Sequence, residues 1–352
     1  MRLLLANPRG FCAGVFMAID VVSQLLDICP DETIYVYHEI VHNQHVVQRF
    51  RDRGVVFVED VRDVPNNAIV VFSAHGVSPA VRDMAAHREL TVVDATCPLV
   101  TKVHMEAIRY SRRGYQILLV GHEDHQEVIG TRGEAPDSIQ VVESAEDIAN
   151  LTINDTKKLV YLTQTTLSMA DASIIIDALK QAFPDIKSPP SEDICYATTN
   201  RQTAVRALAP LSDLVLVIGS SNSSNSQRLR ELAEATGTRA HLIDDASELN
   251  EQWFAGVDSV LITAGASAPE DLVKDLILEL VQTYGGEVEQ HDIFEEDVEF
   301  GLPGTLKTFM RDRGVDPSTR RIHMNDAAEI TTWLNDQQIP NRRVDLSIGM
   351  TD

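Results

Sequence analysis

The chain has 352 residues, of which 44% are hydrophobic, so its length suits two or three domains with a sizeable core. Its formal net charge of −23 argues against nucleic acid and against an anionic membrane surface as partners, although a local pocket can still take a small anion. The sequence has no apolar run of about 18 residues, and no basic stretch followed by an apolar one, so we expect neither a membrane span nor a signal peptide.

Short β-branched runs alternate along the chain with stretches in which apolar residues recur every three or four positions. The runs predict strands at Leu3–Ala6, Ile34–Tyr37, Ala68–Phe72, Thr91–Val93, Ile117–Val120, Leu159–Thr163, Leu214–Ile218 and Val260–Thr263. The amphipathic stretches predict helices at Gln44–Arg53, Leu99–Arg112, Ala170–Phe183, Gln202–Ala209, Ser226–Thr236 and Pro269–Tyr284. This repeated strand-then-helix order predicts an α/β fold with mostly parallel sheets.

The cysteines are few and far apart, which is typical of cytoplasmic thiols and not of a disulfide framework. Three of them share one setting: GFCAGV at Cys12, DATCPLV at Cys97 and DICYATT at Cys195. Two polar turns follow each of these cysteines. They are HEIVHN and FSAHGVS after Cys12, GHEDHQE and LTQTTLS after Cys97, and GSSNSSNS and ITAGASAP after Cys195. This internal repeat predicts three similar α/β lobes around a pseudo-threefold axis, with the three thiols at one centre.

A structural zinc site takes four ligands, usually in close cysteine pairs, and no two cysteines lie close in this sequence. An iron–sulfur cluster accepts distant ligands, and a cubane on three thiolates leaves one iron open for chemistry. The backbone N–H groups at a strand-to-helix turn also favour a thiolate. We therefore predict a catalytic cluster, and we expect Cys29, which lies outside the repeat, to be a packed or surface thiol.

The polar turns carry residue types that bind anions. They supply His42, His75 and His125 in the first two repeats, and Ser223, Ser224, Asn225 and Ser267 in the third. Such donors at strand ends and helix N-termini suit a diphosphate, which has several oxygens to satisfy. Glu127 lies two residues after His125, and a carboxyl group beside an anion is costly unless it is protonated. We therefore predict that Glu127 is a catalytic acid.

The stretch HEIVH, with His38, Glu39 and His42, matches the HExxH pattern of zinc hydrolases. That pattern needs both histidines on one face of a helix. Here it follows a predicted strand, the helical pattern begins only near Gln44, and Asn43 is a good N-cap for that helix. We therefore expect a polar turn at this position.

Together these motifs closely resemble the LytB family, the 4-hydroxy-3-methylbut-2-enyl diphosphate reductases of the methylerythritol phosphate route to isoprenoids. The resemblance rests on LLANPRGFCAGV, HEIVHN, FSAHGVS, DATCPLVTKVH, TQTTLS, DICYATTNRQ, GSSNSSNS and TAGASAP. It runs from Leu3 to about Pro269, and more weakly to about Pro303. It implies a three-lobed fold around a [4Fe-4S] cluster. We place the lobes at 13–97, at 98–194, and at 195–303 with the N-terminal strand 1–12, followed by an extension at 304–352.

The resemblance also implies a reaction, the reductive dehydroxylation of (E)-4-hydroxy-3-methylbut-2-enyl diphosphate to isopentenyl and dimethylallyl diphosphate at the open iron. It implies that Cys12, Cys97 and Cys195 hold the cluster and that the seven donors of the polar turns hold the diphosphate. Glu127 would supply a proton with the help of Thr165, and Gln164 would lie close by. Reduced ferredoxin or flavodoxin would be the electron donor, since the sequence has no nicotinamide-binding fingerprint.

The chain departs from many relatives at Phe16-Met17, where they carry a polar Asp-Arg or Asn-Arg pair, and at Gln126, where they commonly have proline. The extension predicts helices at Thr305–Arg313 and Asn325–Asn335, and it could pack on the body of the chain or on a second subunit. A non-enzymatic iron–sulfur sensor, or a drifted paralogue on the same fold, is the alternative function. Glu127 favours the enzyme, because a sensor needs no proton donor.

Overall fold

The structure is a computed structural model that describes residues 1–321 and 328–345. The strands in these ranges are β1 (Arg2–Asn7), β2 (Ile34–Tyr37), β3 (Val56–Val58), β4 (Ile69–Phe72), β5 (Thr91–Asp94), β6 (Gln116–Val120), β7 (Ile139–Val142), β8 (Leu159–Thr163), β9 (Leu214–Ile218), β10 (Arg239–Ile243), β11 (Ser259–Ala264), β12 (Glu287–Asp292) and β13 (Asn341–Asp345). The α-helices are α1 (Ala13–Ile28), α2 (Gln44–Asp52), α3 (Pro79–His87), α4 (Pro98–Arg112), α5 (Gln126–Glu134), α6 (Met169–Ala182), α7 (Tyr196–Leu208), α8 (Ser224–Ala235), α9 (Glu270–Tyr284), α10 (Gly304–Asp312) and α11 (Ala328–Asp336).

The described strands form three sheets, and every pairing between neighbouring strands is parallel. The first sheet has the order β3-β2-β4-β5 and the second β7-β6-β8. The third has six strands in the order β10-β9-β11-β1-β12-β13, with the N-terminal strand near its middle. The predicted α/β class with parallel sheets is therefore confirmed. Because the strands of each sheet are parallel, the loops that follow their carboxyl ends gather at one edge, where ligands bind in such sheets.

Alternate residues of β1 face the two layers that cover the third sheet. Leu3 and Leu5 pack in the core formed with α9 and α11, whereas Leu4 packs in the core formed with α7 and α8. Strands buried on both faces are continuous apolar runs, as Leu214–Ile218 illustrates with all five residues buried. None of the helices in residues 1–321 and 328–345 combines the length and apolar character that a membrane crossing requires.

All of the predicted strands are present, with ends within about one residue of those predicted. The predicted helices are also present, but α7 begins six residues before the predicted Gln202, at Tyr196. Its first turns contain threonines and an asparagine, which are weak helix formers, so the periodic pattern begins late. Helix α5 was not predicted because Gly130 and Gly133 interrupt its pattern. A Cβ at Gly133 would collide with the Cβ of Ser78 at 2.4 Å, and a Cβ at Gly130 would lie in tight contact with His104 at 3.2 Å.

The C-terminal extension packs on the body of the same chain. Helix α10, predicted at Thr305–Arg313, buries Leu306 and Phe309 in the core of the first sheet. Strand β13 pairs with β12 and so adds a strand to the third sheet, while Leu334 of α11 joins the core beneath it. Helix α11 corresponds to the helix predicted at Asn325–Asn335, of which residues 325–327 lie outside the described ranges.

Candidate active site

Three cysteines occupy the same position at the starts of three helices. Cys12, Cys97 and Cys195 are the N-cap residues of α1, α4 and α7, with a backbone outside the helical region. Backbone N–H groups of the first helical turn lower the pKa of each thiol, those of Gly14 and Val15 for Cys12, of Leu99 and Val100 for Cys97, and of Thr198 for Cys195. The first N–H groups of a helix have no partner within it, and they stabilise a thiolate placed there.

The backbone of each cysteine makes the same hydrogen bond, so the repeat seen in the sequence is also a repeat in space. The N–H of Cys12 donates to Ala266 O at 3.2 Å, and the N–H of Cys97 donates to Ala74 O at 3.0 Å. The N–H of Cys195 donates to Thr165 O at 3.0 Å. Each acceptor lies in a second polar turn of the sequence repeat, so one turn of this kind holds each cysteine in place.

The three thiols lie close together. A Cβ atom added at Gly14 would lie 2.6 Å from the Cys97 sulfur and 4.0 Å from the Cys12 sulfur. Burial raises the pKa of all three thiols, that of Cys195 to about 11, and the charge of Cys12 further raises the pKa of the other two. A bound metal centre reverses this effect, because its positive charge favours the thiolates.

No three His, Cys, Asp or Glu side chains in the described ranges are close enough to hold a single metal ion. A cluster several atoms wide holds its ligands further apart than one ion does, so it does not need the thiols to meet around a single point. The donor set has the same chemistry, because three thiolates with backbone N–H donors are typical of iron–sulfur ligation. The residues at this centre therefore fit an iron–sulfur cluster.

Three histidine rings from two different sheets meet next to each other. The rings of His42 and His75 are stacked with centroids 3.9 Å apart, and the ring of His125 lies 5.6 and 6.2 Å from them. Nδ1 of His125 accepts the N–H of Glu127 at 3.2 Å, so Nε2 carries the proton in the neutral ring. Nε2 of His42 is buried and has no hydrogen-bond partner among the described residues. Nε2 of His125 thus remains to donate to a ligand, and Nε2 of His42 remains without a partner because Nδ1 of that ring faces Glu39.

Burial makes two of these rings difficult to protonate. It lowers the pKa of His75 well below its ordinary range and that of His125 to about 3, and the neighbouring rings lower both further. An anion bound between the rings would oppose both effects, because a negative charge favours the imidazolium form. Without a bound anion, the rings of His75 and His125 are therefore neutral near pH 7.

The serines of the third repeat face these histidines. Ser223 is the N-cap of α8, and its hydroxyl accepts the N–H of Ser226 at 3.3 Å. The hydroxyl of Ser267 donates to the carbonyl of His42 at 2.8 Å and lies 3.5 Å from the Ser223 hydroxyl. Ser267 therefore connects the third sheet to the histidines of the first.

The other two predicted ligands of this region, Asn225 and Ser224, lie in the first turn of α8. Asn225 accepts the N–H of Ala266 through Oδ1 at 2.9 Å, while its Nδ2 is buried and unpartnered within the described ranges. Ser224 donates to the carbonyl of Thr166 at 3.3 Å. The amide of Asn225 is thus oriented by the turn that holds Cys12, with its two donor hydrogens left for a ligand.

Glu127 is buried in the first turn of α5, and Thr165 holds both of its oxygens. Oε1 accepts the backbone N–H of Thr165 at 2.7 Å, and Oε2 accepts its hydroxyl at 2.9 Å. Burial raises the pKa of Glu127 to about 7, although the two hydrogen bonds from Thr165 act in the opposite direction. The carboxyl group is therefore partly protonated near neutral pH and can act as an acid.

The side chain of Gln164 is held by its own surroundings. Its Oε1 accepts the N–H of His122 at 3.1 Å, and its Nε2 donates to the hydroxyl of Thr166 at 3.0 Å. It lies directly before Thr165, and a Cβ added at Gly121 would lie 3.0 Å from its own Cβ. Gln164 therefore lies next to Thr165, and both ends of its amide are held by neighbouring residues.

The stretch HEIVH forms a turn, as expected. His38 has a φ of 58° and its Nδ1 lies 2.7 Å from Glu59, whereas Nδ1 of His42 lies 3.2 Å from Glu39. The helix begins afterwards, at Gln44, and the side chain of Asn43 caps it by accepting the N–H of Val46 at 3.0 Å. The two histidines therefore do not share a helix face, and the expectation of a polar turn is confirmed.

Sequence reasoning did not identify Tyr196, which lies beside the first residues of α1, whereas it singled out Phe16 and predicted Cys29 as a packed or surface thiol. The hydroxyl of Tyr196 accepts the N–H of Ala13 at 3.1 Å and so joins the starts of α7 and α1. Phe16, at a position where the chain departs from many relatives, packs edge-to-face on Phe11 with centroids 5.3 Å apart. Cys29 is buried in the core of the first sheet, as a packed thiol. Tyr196 directly follows Cys195, and this adjacency was the one signal available.

The fold and the site together define an α/β protein of parallel sheets in which three helices start at neighbouring cysteines and three histidine rings meet. Comparison with known proteins gives its family. The family model described as LytB protein matches residues 3–281, and the chain belongs to this family.

Two curated relatives are each named 4-hydroxy-3-methylbut-2-enyl diphosphate reductase. The one from Rhodopirellula baltica is 52% identical over 309 residues, which are 88% of this chain and 97% of that one. The one from Alcanivorax borkumensis is 54% identical over 311 residues, 87% of this chain and all of that one. A solved structure of the E-1-hydroxy-2-methyl-but-2-enyl-4-diphosphate reductase from Plasmodium falciparum is 38% identical, with a TM-score of 0.85 over 89% of this chain and 99% of that one.

Proposed function

We propose that the chain catalyses the reductive dehydroxylation of (E)-4-hydroxy-3-methylbut-2-enyl diphosphate to isopentenyl and dimethylallyl diphosphate. Relatives at 52% and 54% identity bear the name of this reductase. The observation that carries the proposal is the position of Thr165, which bonds a buried acid through its N–H and hydroxyl and Cys195 through its carbonyl. One residue thus joins a proton donor to a thiol of the proposed metal centre.

We propose that Cys12, Cys97 and Cys195 hold a [4Fe-4S] cluster. The support is the position of the three thiols, each at the N-cap of a helix and each near the others. When bound, such a cluster supplies electrons one at a time and, at the iron that no protein thiolate holds, a Lewis acid for the substrate oxygen.

The diphosphate binds, in this proposal, to His42, His75, His125, Ser223, Ser224, Asn225 and Ser267. The unpartnered Nδ2 of Asn225 supports this assignment, because a buried donor without an acceptor is costly until a ligand supplies one. Nε2 of His42 is also buried and unpartnered, and a bound anion would favour the imidazolium form in which it donates. Binding of the anion would raise the pKa of His75 and His125, so their hydrogen bonds to the phosphate oxygens would become charge-assisted. The acidic net charge of the chain is no obstacle, since these donors are local.

The overall reaction consumes two electrons and two protons. One proton joins the departing hydroxyl to make water, and the other forms the new C–H bond of the product. Glu127 supplies the first proton through Oε2, and the hydroxyl of Thr165, 2.9 Å away, relays it. The bound diphosphate would raise the pKa of Glu127 above the value set by burial, which keeps the acid form populated. Gln164, which precedes Thr165, helps to fix this turn by accepting the N–H of His122.

We propose that a reduced ferredoxin or flavodoxin provides the electrons, because the sequence has no nicotinamide-binding fingerprint. We also propose the lobes 13–97, 98–194 and 195–303 with 1–12, since each of the first two ranges supplies one sheet and the third supplies the core of the six-stranded sheet. The alternative function, an iron–sulfur sensor, gives no reason for a buried acid held at both oxygens by Thr165.

The cluster assignment is tested by anaerobic purification of four single variants followed by iron and sulfide analysis. The wild type and the control Cys29→Ser should be brown, with about four irons per chain, and should bleach in oxygen. Cys12→Ser, Cys97→Ser and Cys195→Ser should each lose iron or hold it weakly. Stoichiometric zinc in the anaerobic wild type, or full iron in all three variants, would contradict the assignment.

A further inference from the structure

Arg201 is one of the largest fully buried side chains among the described residues, with no exposed surface, and it lies on α7 six residues after Cys195. A charged side chain is rarely buried to this degree unless its whole donor set is satisfied. The hydrogen-bond partners of this guanidinium therefore indicate its role.

The guanidinium connects three separate segments. Its Nε and Nη2 donate to the carbonyl of Gly10 at 3.2 and 2.8 Å. Its Nη1 donates to the carbonyl of Ala197 and to Oε1 of Glu296, both at 3.0 Å. Gly10 lies two residues before Cys12 and has a φ of +65°, which glycine adopts without strain. Arg201 thus ties the turn before Cys12 to the helix that begins at Cys195.

The residues on either side of Arg201 extend this arrangement. Nδ2 of Asn200 donates to the same Oε1 of Glu296 at 3.0 Å. Nε2 of Gln202 donates to the carbonyl of Leu167 at 2.8 Å, two residues after Thr165. Helix α7 therefore uses three consecutive side chains to hold the Cys12 turn, the Thr165 turn and the segment that follows β12.

A buried Arg–Glu pair is weak evidence for stability, because desolvation of both ions offsets their attraction. Two other properties of the pair bear on the site. The planar fork of arginine fixes geometry in a way that the single ammonium of lysine cannot. The positive charge of Arg201 favours the thiolate of Cys12 and lowers its pKa, whereas the negative charge of its partner Glu296 acts in the opposite direction.

We propose that Arg201 is a positioning residue, which fixes Cys12 relative to Cys195 and whose charge, balanced by Glu296, sets the midpoint potential of the metal centre. This inference rests on the proposed [4Fe-4S] cluster. Reduction adds one electron to the cluster, so a nearby positive charge favours the reduced form and a nearby negative charge disfavours it. The two partners should therefore act on the potential in opposite directions.

The test is a mediated redox titration of anaerobic protein, followed by the rate of cluster loss in air, for four variants. Arg201→Gln should shift the midpoint potential to a more negative value and lose its cluster several-fold faster than the wild type. Glu296→Gln should shift the potential to a more positive value with a near wild-type lifetime, because the bonds to Gly10 remain. Arg201→Lys should restore the potential but not the lifetime. Arg206→Gln, an exposed arginine on the same helix, should change neither.

The outcomes separate this inference from the proposed function. A wild type that contains no iron–sulfur cluster would overturn the proposed function itself. A cluster-loaded wild type whose Arg201 and Glu296 variants share its potential and lifetime would overturn the inference alone. If Arg201→Gln does not fold, Glu296→Gln still decides it, since a purely structural role predicts no shift of its midpoint potential to a more positive value, and Arg201→Lys should then keep the wild-type potential but lose its cluster faster.

Discussion

Thr165 donates both its backbone N–H and its hydroxyl to the carboxyl group of Glu127, at 2.7 and 2.9 Å. Both oxygens of the acid are thereby fixed. When Glu127 is protonated at Oε2, the threonine hydroxyl can turn to accept that proton and pass its own proton on. The same residue accepts the N–H of Cys195 through its carbonyl. The proton donor and the thiol centre therefore share one short stretch of backbone.

Glu127→Gln should bind the cluster and the substrate normally but turn over at least about a hundredfold more slowly, since general acid catalysis contributes about 10²–10⁴-fold. Glutamine keeps the size of the side chain but has no proton to release. Single-turnover reduction of the substrate measures the effect. Glu123→Gln, an exposed acid in the same polar turn, is the matched control and should retain its rate. A near wild-type rate in Glu127→Gln would mean that the proton comes from another group.

The pH dependence of turnover should show the same acid. The pKa of Glu127 is raised to about 7, so the protonated form, and with it the rate, should decline as the pH rises through that value. Glu127→Gln should lack this decline. A profile that is the same in both proteins would contradict the assignment.

Stability should follow the same titration with a defined sign. The folded pKa of about 7 exceeds the ordinary 4.5, so the native state binds more protons than the unfolded state between these values. The wild type should therefore lose stability as the pH rises from 4.5 to 7, by about 3 kcal/mol, relative to Glu127→Gln. Melting temperatures of the two proteins at pH 5 and pH 8 measure this effect. If the wild type and Glu127→Gln differ in melting temperature by the same amount at both pH values, the raised pKa is contradicted.

His42→Ala and His125→Ala should each weaken the hold on the diphosphate by about 1.5–3 kcal/mol, the range for hydrogen bonds to charged groups. The expected result is a KM higher by about 10–100-fold, a slower turnover, or both, with an unchanged cluster spectrum. His87→Ala, on an exposed turn of α3, is the control. Wild-type kinetics in both site variants would place the anion elsewhere.

Gly14→Ala should disturb the thiol centre without touching a ligand. The added Cβ would lie 2.6 Å from the Cys97 sulfur, closer than real contacts allow, so Cys97 must move. We expect a large loss of bound iron in the anaerobic protein. Gly304→Ala is the control, because no atom lies within 4 Å of its added Cβ. Equal iron content in the two variants would show that the thiols have more freedom than the structure indicates.

Truncation after Arg321 should lower the melting temperature but leave turnover nearly unchanged. It removes β13, which covers the edge of β12, and Arg342, which lies 2.5 Å from the buried Glu289. The curated relatives match 87–88% of this chain over nearly their whole length, so the activity should not need the last residues. A truncated protein that melts like the full chain would contradict the packing of the extension.

The sequence was sufficient for the features that depend on local patterns. Buried parallel strands are continuous apolar runs, so β9 was predicted with its observed ends. The N-cap role of Asn43 was also predictable, because it depends on one side chain and the next few residues. The three cysteines could also be identified from local patterns, since each lies in the same kind of turn of the sequence repeat.

What the sequence could not give depends on contacts between distant segments. Arg201 and Gly10 are 191 positions apart, and only the assembled fold shows that they meet. The raised pKa of Glu127 was predicted from a bound diphosphate, whereas in this structure burial raises it, with a smaller effect from the charge of Asp193. Helix α5 was missed because its glycines make room for His104 and Ser78, a packing requirement that a helical pattern does not reveal.

The most direct test of the central claim is a single turnover of the anaerobically purified, reduced protein with (E)-4-hydroxy-3-methylbut-2-enyl diphosphate, with the products separated and counted. We predict that each two electrons consumed yield one molecule of isopentenyl or dimethylallyl diphosphate and one of water. A cluster-loaded and reduced protein that binds the substrate but leaves its hydroxyl group in place would contradict the proposed function.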